Sequence, residues 1–219
     1  MRRTTWIVVG LLAASLVRSA PLAAQNVGGA TGPTNERGFF LGAALNGTGL
    51  AGKDLTDNEA ESGGGLSLSL GYQFHPNWAF FVEGAGANMS SKTGGDQYIL
   101  SHFDLGVRYH FVSATRSWVP YLDVAFSGRA ASEDNIEFFD SAGRPTTGTL
   151  EISGTGFSFG GGFNFHTSPR FAIQTGLRWT VGDFTTVKFR DISVSGLNAH
   201  ATTGRFNLGV VWYPGQGPK

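Results

Sequence analysis

The chain has 219 residues, enough for one sizeable domain, and only 15% of them are charged, against roughly 25% in ordinary soluble domains. Its 16 Lys and Arg balance 16 Asp and Glu with no basic patch, which argues against nucleic acid as a partner. The absence of cysteine excludes disulfides, thiolate metal sites and cysteine nucleophiles together.

The first 24 residues read as a signal peptide. Arg2 and Arg3 form a positive start, Trp6 to Val17 an apolar core, and small residues lead to Ala23 and Ala24, with cleavage expected before Gln25. The apolar run is shorter than the ~20 residues a membrane-spanning helix needs. The leader holds Arg2, Arg3 and Arg18 and no acid, so the 16 basic residues fall to 13 against 16 acidic ones, a net of −3. Residues 25–37 are rich in Gly, Thr, Asn and Pro and form a flexible lead-in. No later segment offers 18 consecutive apolar residues, so entry into a membrane requires a closed barrel, the other fold that leaves no backbone group unpaired in hydrocarbon.

Eight stretches alternate bulky apolar residues with small or polar ones, the period of a strand with two unlike faces. The first, 38–48, sets Leu41, Ala43 and Leu45 against Gly42, Ala44 and Asn46. The second, 64–74, sets Leu66, Leu68, Leu70, Tyr72 and Phe74 against Gly65, Ser67, Ser69, Gly71 and Gln73. In the third, 78–87, Trp78, Phe80 and Val82 oppose Ala79, Phe81 and Glu83. In the fourth, 99–111, Phe103, Leu105, Val107, Tyr109 and Phe111 oppose His102, Asp104, Gly106, Arg108 and His110. The fifth, 118–128, pits Leu122, Val124 and Phe126 against Tyr121, Asp123, Ala125 and Ser127. The sixth, 154–165, pits Phe157, Phe159, Phe163 and Phe165 against Gly156, Ser158, Gly160, Gly162 and Asn164. The seventh, 171–182, has Ile173, Leu177, Trp179 and Val181 opposite Gln174, Gly176 and Arg178. The eighth, 203–213, has Phe206, Leu208, Val210 and Trp212 opposite Arg205, Asn207 and Gly209.

Short turns (75–77, 112–117 and 166–170) alternate with longer loops (49–63, 88–98, 129–153 and 183–202). That alternation, with an even strand count, characterises outer-membrane barrels and puts both termini on the short-turn, periplasmic side. Aromatics gather there: Tyr72, Phe74, Trp78, Tyr109, Phe111, Trp118, Phe165, Phe171, Trp212 and Tyr213 suit an interfacial girdle, with cross-strand ring pairing as the plainer reading. The expected fold is therefore all-β, an eight-stranded antiparallel up-and-down transmembrane barrel over 38–213, with a tail at 214–219. An inward greasy face, as in a soluble barrel, would overfill an interior only just wide enough for side chains. A two-layer sandwich would leave nearly uncharged outer faces and unprotected edges.

With the small face inside, so are Glu83, His102, Asp104, Arg108, His110, Asp123, Arg129, Arg178 and Arg205. Charges in a narrow lumen need partners, and acid and base are nearly balanced there. Glu83 and Arg108, on neighbouring strands, are an expected pair. The expected role of these nine is a structural plug; an ion or proton path is the sharper alternative.

The signal peptide, the eight strands, Gly71-Tyr72 before a short turn, Trp78 opening the next strand and the terminal Phe206-Asn207-Leu208-Gly209-Val210 pattern together resemble the small OmpA/OmpX-like outer-membrane barrel family. The resemblance covers nearly all of the mature chain. It implies a bacterial outer-membrane location, contact with outer-membrane lipid and lipopolysaccharide, insertion by the barrel assembly machinery, and a monomeric structural, adhesive or stress-related role, with weak conduction in some members. No peptidoglycan-binding domain follows the barrel, so wall tethering is not implied. The family often ends on an aromatic residue read during assembly; here Pro-Gly-Gln-Gly-Pro-Lys follows Tyr213.

Catalysis on lipid acyl chains is a further alternative, and Ser101, His102 and Asp104 supply the residue types. Adjacent strand residues face opposite ways, so Ser101 and His102 diverge. His75 and His166 fall in turns and His200 near a loop, with no zinc spacing. Neither cofactor nor metal is expected. Asp54, Asp57, Glu59 and Glu61 make the first long loop acidic, and Glu133, Asp134, Glu137 and Asp140 the third. Solvated surface is the plainer reading of these acids; divalent ions beside lipopolysaccharide phosphates, or an extracellular ligand, are the alternatives. Gly160-Gly161-Gly162 precedes no helix, so it reads as a place of close approach or bending in a strand rather than a phosphate cradle.

Overall fold

The computed structural model describes residues 37–52, 60–91, 97–113, 116–139, 145–189 and 192–215. The expected leader, nearly all of the lead-in, Asp54, Asp57, Glu59, Asp140 and the last four residues lie outside them.

Eight strands follow in chain order: Gly38–Ala51 (β1), Glu61–His75 (β2), Trp78–Ser90 (β3), Tyr98–His110 (β4), Trp118–Phe139 (β5), Pro145–His166 (β6), Phe171–Phe189 (β7) and Ile192–Trp212 (β8). Each pairs antiparallel with its sequence neighbour, and β8 returns to β1, from Leu41 opposite Trp212 to Ala51 opposite Thr202. Closure leaves no edge within the ring, which is what hydrocarbon demands of a strand.

The period-two pattern sorts the faces. Leu45, Leu68 and Phe126 point outward and are 66%, 68% and 75% exposed, whereas Asp104, Thr180 and Thr203 point inward and are wholly covered. From Phe74 to Leu66 every outward residue of β2 is apolar. At ~3.3 Å per residue and a tilt of ~40°, that run climbs roughly 20 Å, near the ~25 Å apolar band of outer-membrane barrels. At the short-turn rim the outward rings also pair, as Phe39 with Tyr72 (4.9 Å between ring centres), Trp78 with Tyr109 (4.8 Å) and Tyr109 with Phe111 (4.9 Å).

The long-loop side differs from expectation. Residues 183–202, expected as a loop, continue β7 to Phe189 and begin β8 at Ile192. Residues 129–153 lengthen β5 and β6 in the same way. The ladder persists through irregularities at Glu133/Ile136, Ser153/Gly154 and Phe184/Thr186. Above the lipid neither face of a strand meets hydrocarbon, so the bulky-small alternation fades although the backbone pairing continues. β1 to β4 hold 13 to 15 residues each and β5 to β8 hold 19 to 22, so one half of the wall stands taller than the other.

A buried ionic core between two apolar seals

Toward the short-turn rim the interior is closed by Phe40, Ala79, Phe81, Ala125, Ala172, Val211 and Tyr213. Toward the opposite end it is closed by Leu50, Ala87, Met89, Leu100, Phe184, Ala199 and Ala201. Each end thus carries an apolar cluster beside a few buried polar side chains, Gln73, Asn164 and Gln174 at the short-turn rim and Glu61 at the other. Two of the sealing rings, Phe40 and Phe184, come from inward positions that the alternation alone leaves looking like any other strand residue or a loop.

All nine side chains assigned to the interior are buried: Glu83, His102, Asp104, Arg108, His110, Asp123, Arg129, Arg178 and Arg205 are each 4% exposed or less, with His110 at the short-turn end of β4. Arg178 is the hub. Its guanidinium donates to Glu83 (2.7 Å), Asp104 (3.0 Å) and both carboxylate oxygens of Asp123 (2.8 and 3.3 Å). Arg205 donates to Glu83 (3.4 Å) and to Asp104. The planar fork of arginine is suited to serving several carboxylates at once.

The expected pair of Glu83 with Arg108 does not form. The register sets Glu83 opposite Asp104 and Arg108 opposite Ala79 on the β3–β4 ladder, while on the β4–β5 ladder Arg108 faces Asp123. Arg108 donates to Asp123 (3.1 Å) and lies over the rings of Tyr121 (4.1 Å) and Phe81 (5.1 Å). Tyr121 fits because its neighbours are glycines: a Cβ at Gly162 would come within 2.8 Å of its hydroxyl. This is the close approach expected of the Gly160–Gly162 run.

Arg108, Arg178 and Arg205 thus share Glu83, Asp104 and Asp123, three charges of each sign. Removing an ion from water costs several kcal/mol, which only close geometry and satisfied lone pairs repay. Part of that satisfaction comes from hydroxyls not singled out from sequence. Ser127 donates to Asp104, Ser127 bonds Ser158, and Ser158 bonds Thr180 (2.6 Å), a chain crossing β4 to β7. Their signal is only that they occupy inward positions on strands.

Glu61 is a correction. Expected on the acidic first loop, it is the first residue of β2, 6% exposed, and accepts a hydrogen bond from the Tyr98 hydroxyl (2.6 Å). Of the third-loop acids, Glu133 and Asp134 are on β5, and Asp134 accepts from the Thr149 hydroxyl (2.7 Å).

No catalytic set assembles from Ser101, His102 and Asp104. Ser101 is exposed on the outer face, His102 is buried inside, and Asp104 is taken up by Arg178, Arg205 and Ser127. His75 accepts from the Asn77 amide (3.2 Å), His166 stacks on Tyr213 (5.5 Å), and His200 meets Asp183 (2.8 Å) on the exterior. Among the described residues no three His, Cys, Asp or Glu stand in metal-binding geometry.

A closed ring with a lipid-facing belt and a buried ionic middle defines a small transmembrane β-barrel. The model of the outer membrane protein beta-barrel domain matches residues 9–213; the chain belongs to that family and is a protein of the bacterial outer membrane. Among solved structures it is similar to Neisserial surface protein A, NspA, with 17% identity, 81% of this chain and 98% of that chain covered, and a TM-score of 0.58. It is also similar to Ail, the attachment invasion locus protein of Yersinia pestis, in complex with the heparin analogue sucrose octasulfate, with 13% identity, 81% and 99% coverage and a TM-score of 0.50. These likenesses show a shared fold. No curated protein sequence matches the chain.

Proposed function

We propose that this barrel is a non-conducting, non-enzymatic membrane anchor that presents the tall β5–β8 half as an extracellular binding surface. The unequal strand lengths carry this reading. Among the described residues the β4–β5 ladder ends at Ser132 and the β1–β8 ladder at Thr202, while β5 to β8 continue past both, so two strand edges rise above the eight-stranded ring. Such edges are templates for pairing unless protected. The surface is acidic: Glu133, Asp134, Glu151 and Asp183 stand against Lys188 among its described residues. That charge favours a basic protein surface, or lipopolysaccharide phosphates bridged by divalent cations, over the sulfated ligand bound to Ail.

The nine interior residues act as a structural plug in this reading. The protein works as a monomer, and Trp212 is the terminal aromatic available to the barrel assembly machinery, because Trp212 faces outward whereas Tyr213 is buried in the seal. The test compares bacteria displaying the full chain with bacteria displaying a variant whose residues 134–149 are replaced by a two-residue hairpin turn. Reduced adherence to protein-coated surfaces, with the folded barrel retained in the outer membrane, supports the proposal. Equal adherence refutes the binding role, and a stable single-channel conductance from reconstituted full-length protein refutes the plug.

A further inference from the structure

Arg129 stands apart from the ion network. Arg108, Arg178 and Arg205 are matched by Glu83, Asp104 and Asp123, and none of these carboxylates bonds Arg129. Its Nη1 donates to the Ala201 carbonyl (3.1 Å) and to the Thr203 hydroxyl (3.2 Å), both uncharged. Its Nε and Nη2 have no partner among the described residues, although Arg129 is 3% exposed. Asp183, the carboxylate whose field reaches it, is half-exposed and already bonded to His200. Glu61, the remaining interior acid, is bonded to Tyr98.

The neighbouring groups share the deficit. His102 lies directly opposite Arg129 on the β4–β5 ladder, points into the same interior, and is 4% exposed with both ring nitrogens unpartnered. Arg205, two residues along β8 from the Thr203 that Arg129 bonds, has an unpartnered Nε. Phe184 lies against the Arg129 guanidinium (4.7 Å) and packs with Leu100 and Ala201 in the apolar cluster toward the long-loop end. A buried water would satisfy donors but would leave a buried positive charge without a paired anion, which is a costly arrangement for a protein interior.

We propose that Arg129 and His102, with the free edge of Arg205 beside them, hold a small inorganic anion of the halide class inside the upper barrel. The ion supplies the missing charge and accepts from the idle N–H groups, and it completes the interior as a fourth anion for the fourth arginine. The site is independent of what the extracellular surface binds.

The test uses the full-length protein purified from outer membranes. Crystals grown with bromide in place of chloride are measured at the bromine edge. In parallel, urea unfolding is followed by the shift between folded and unfolded gel bands, in chloride and in gluconate at equal ionic strength. The expected result is one anomalous peak between Arg129 and His102, and an unfolding midpoint higher in chloride, a difference that disappears in Arg129→Gln. Ordered water with no bromide peak overturns the proposal, as does a chloride dependence that Arg129→Gln leaves unchanged. Should Arg129→Gln fail to fold, the bromide measurement on the unaltered protein decides the question by itself.

Discussion

Arg178 on β7 and Glu83 on β3 are 95 positions apart in the chain and 2.7 Å apart in the barrel, bonded across the lumen. The same guanidinium also reaches Asp104 and Asp123, so one side chain ties β7 to β3, β4 and β5. Replacing Arg178 with Met strands carboxylates in the interior. The expected loss is about 3–5 kcal/mol. It is measured as a lower urea midpoint for conversion of the compact band to the unfolded one. Arg178→Lys should recover little, because an ammonium cannot reproduce the fork that meets three carboxylates.

Arg108 and Asp123 are coupled. Arg108→Met and Asp123→Asn should each destabilise the barrel. The double variant should lose less than their sum, by roughly 0.5–3 kcal/mol, because Asp123→Asn alone takes from Arg108 the carboxylate it bonds, and Arg108→Met alone leaves Asp123 with Arg178 as its one arginine. A double-mutant cycle of unfolding midpoints checks this, and strict additivity would contradict the pairing seen here.

Tyr121 and Gly176 are matched by shape. Gly176→Ala should impair folding because the new methyl would lie 2.3 Å from the Tyr121 hydroxyl, with the Gly161 carbonyl next at 3.3 Å. Adding Tyr121→Phe removes the hydroxyl and should recover part of the folded band, while Tyr121→Phe alone should be mild, since the hydroxyl makes only a long bond to the Thr175 carbonyl (3.4 Å). An equal defect with and without Tyr121→Phe would place the clash entirely at the backbone.

Leu68 and Ser67 test the orientation of the wall. Leu68 points to lipid and Ser67 into the barrel. Leu68→Arg should cost ~2–4 kcal/mol if it lies near the bilayer midplane. Leu68→Phe should be tolerated. Fractionation with unboiled gels reads both outcomes: the phenylalanine variant should stay compact in the outer membrane, and the arginine variant should accumulate unfolded. Full tolerance of arginine there would mean that this face does not meet hydrocarbon.

Much of the barrel was legible without coordinates because strand alternation is local. Leu66 to Phe74 and Phe103 to Phe111 declare their outward faces in consecutive residues, and the short turns declare which strands are neighbours. Inward positions follow as the complement, which is how Asp104, Arg178 and Arg205 could be assigned to one interior. The lipid sharpened this signal, and where the wall rises past it, over residues 183–202, the signal weakened and a strand extension looked like loop. Glu61 was misplaced for the same reason, as an acid at the edge of the readable pattern.

Period and polarity by themselves determined that eight strands close into a membrane barrel with charges at its centre, since each residue's face depends only on its neighbours in the chain. Only the tertiary structure decided who meets whom: Arg108 with Asp123 rather than Glu83, Arg178 with three acids, Arg129 bonded to no acid among the described residues. Those pairings depend on how far each strand is slid against the next and on how far a side chain reaches across the lumen, and both are set by closure of the whole ring.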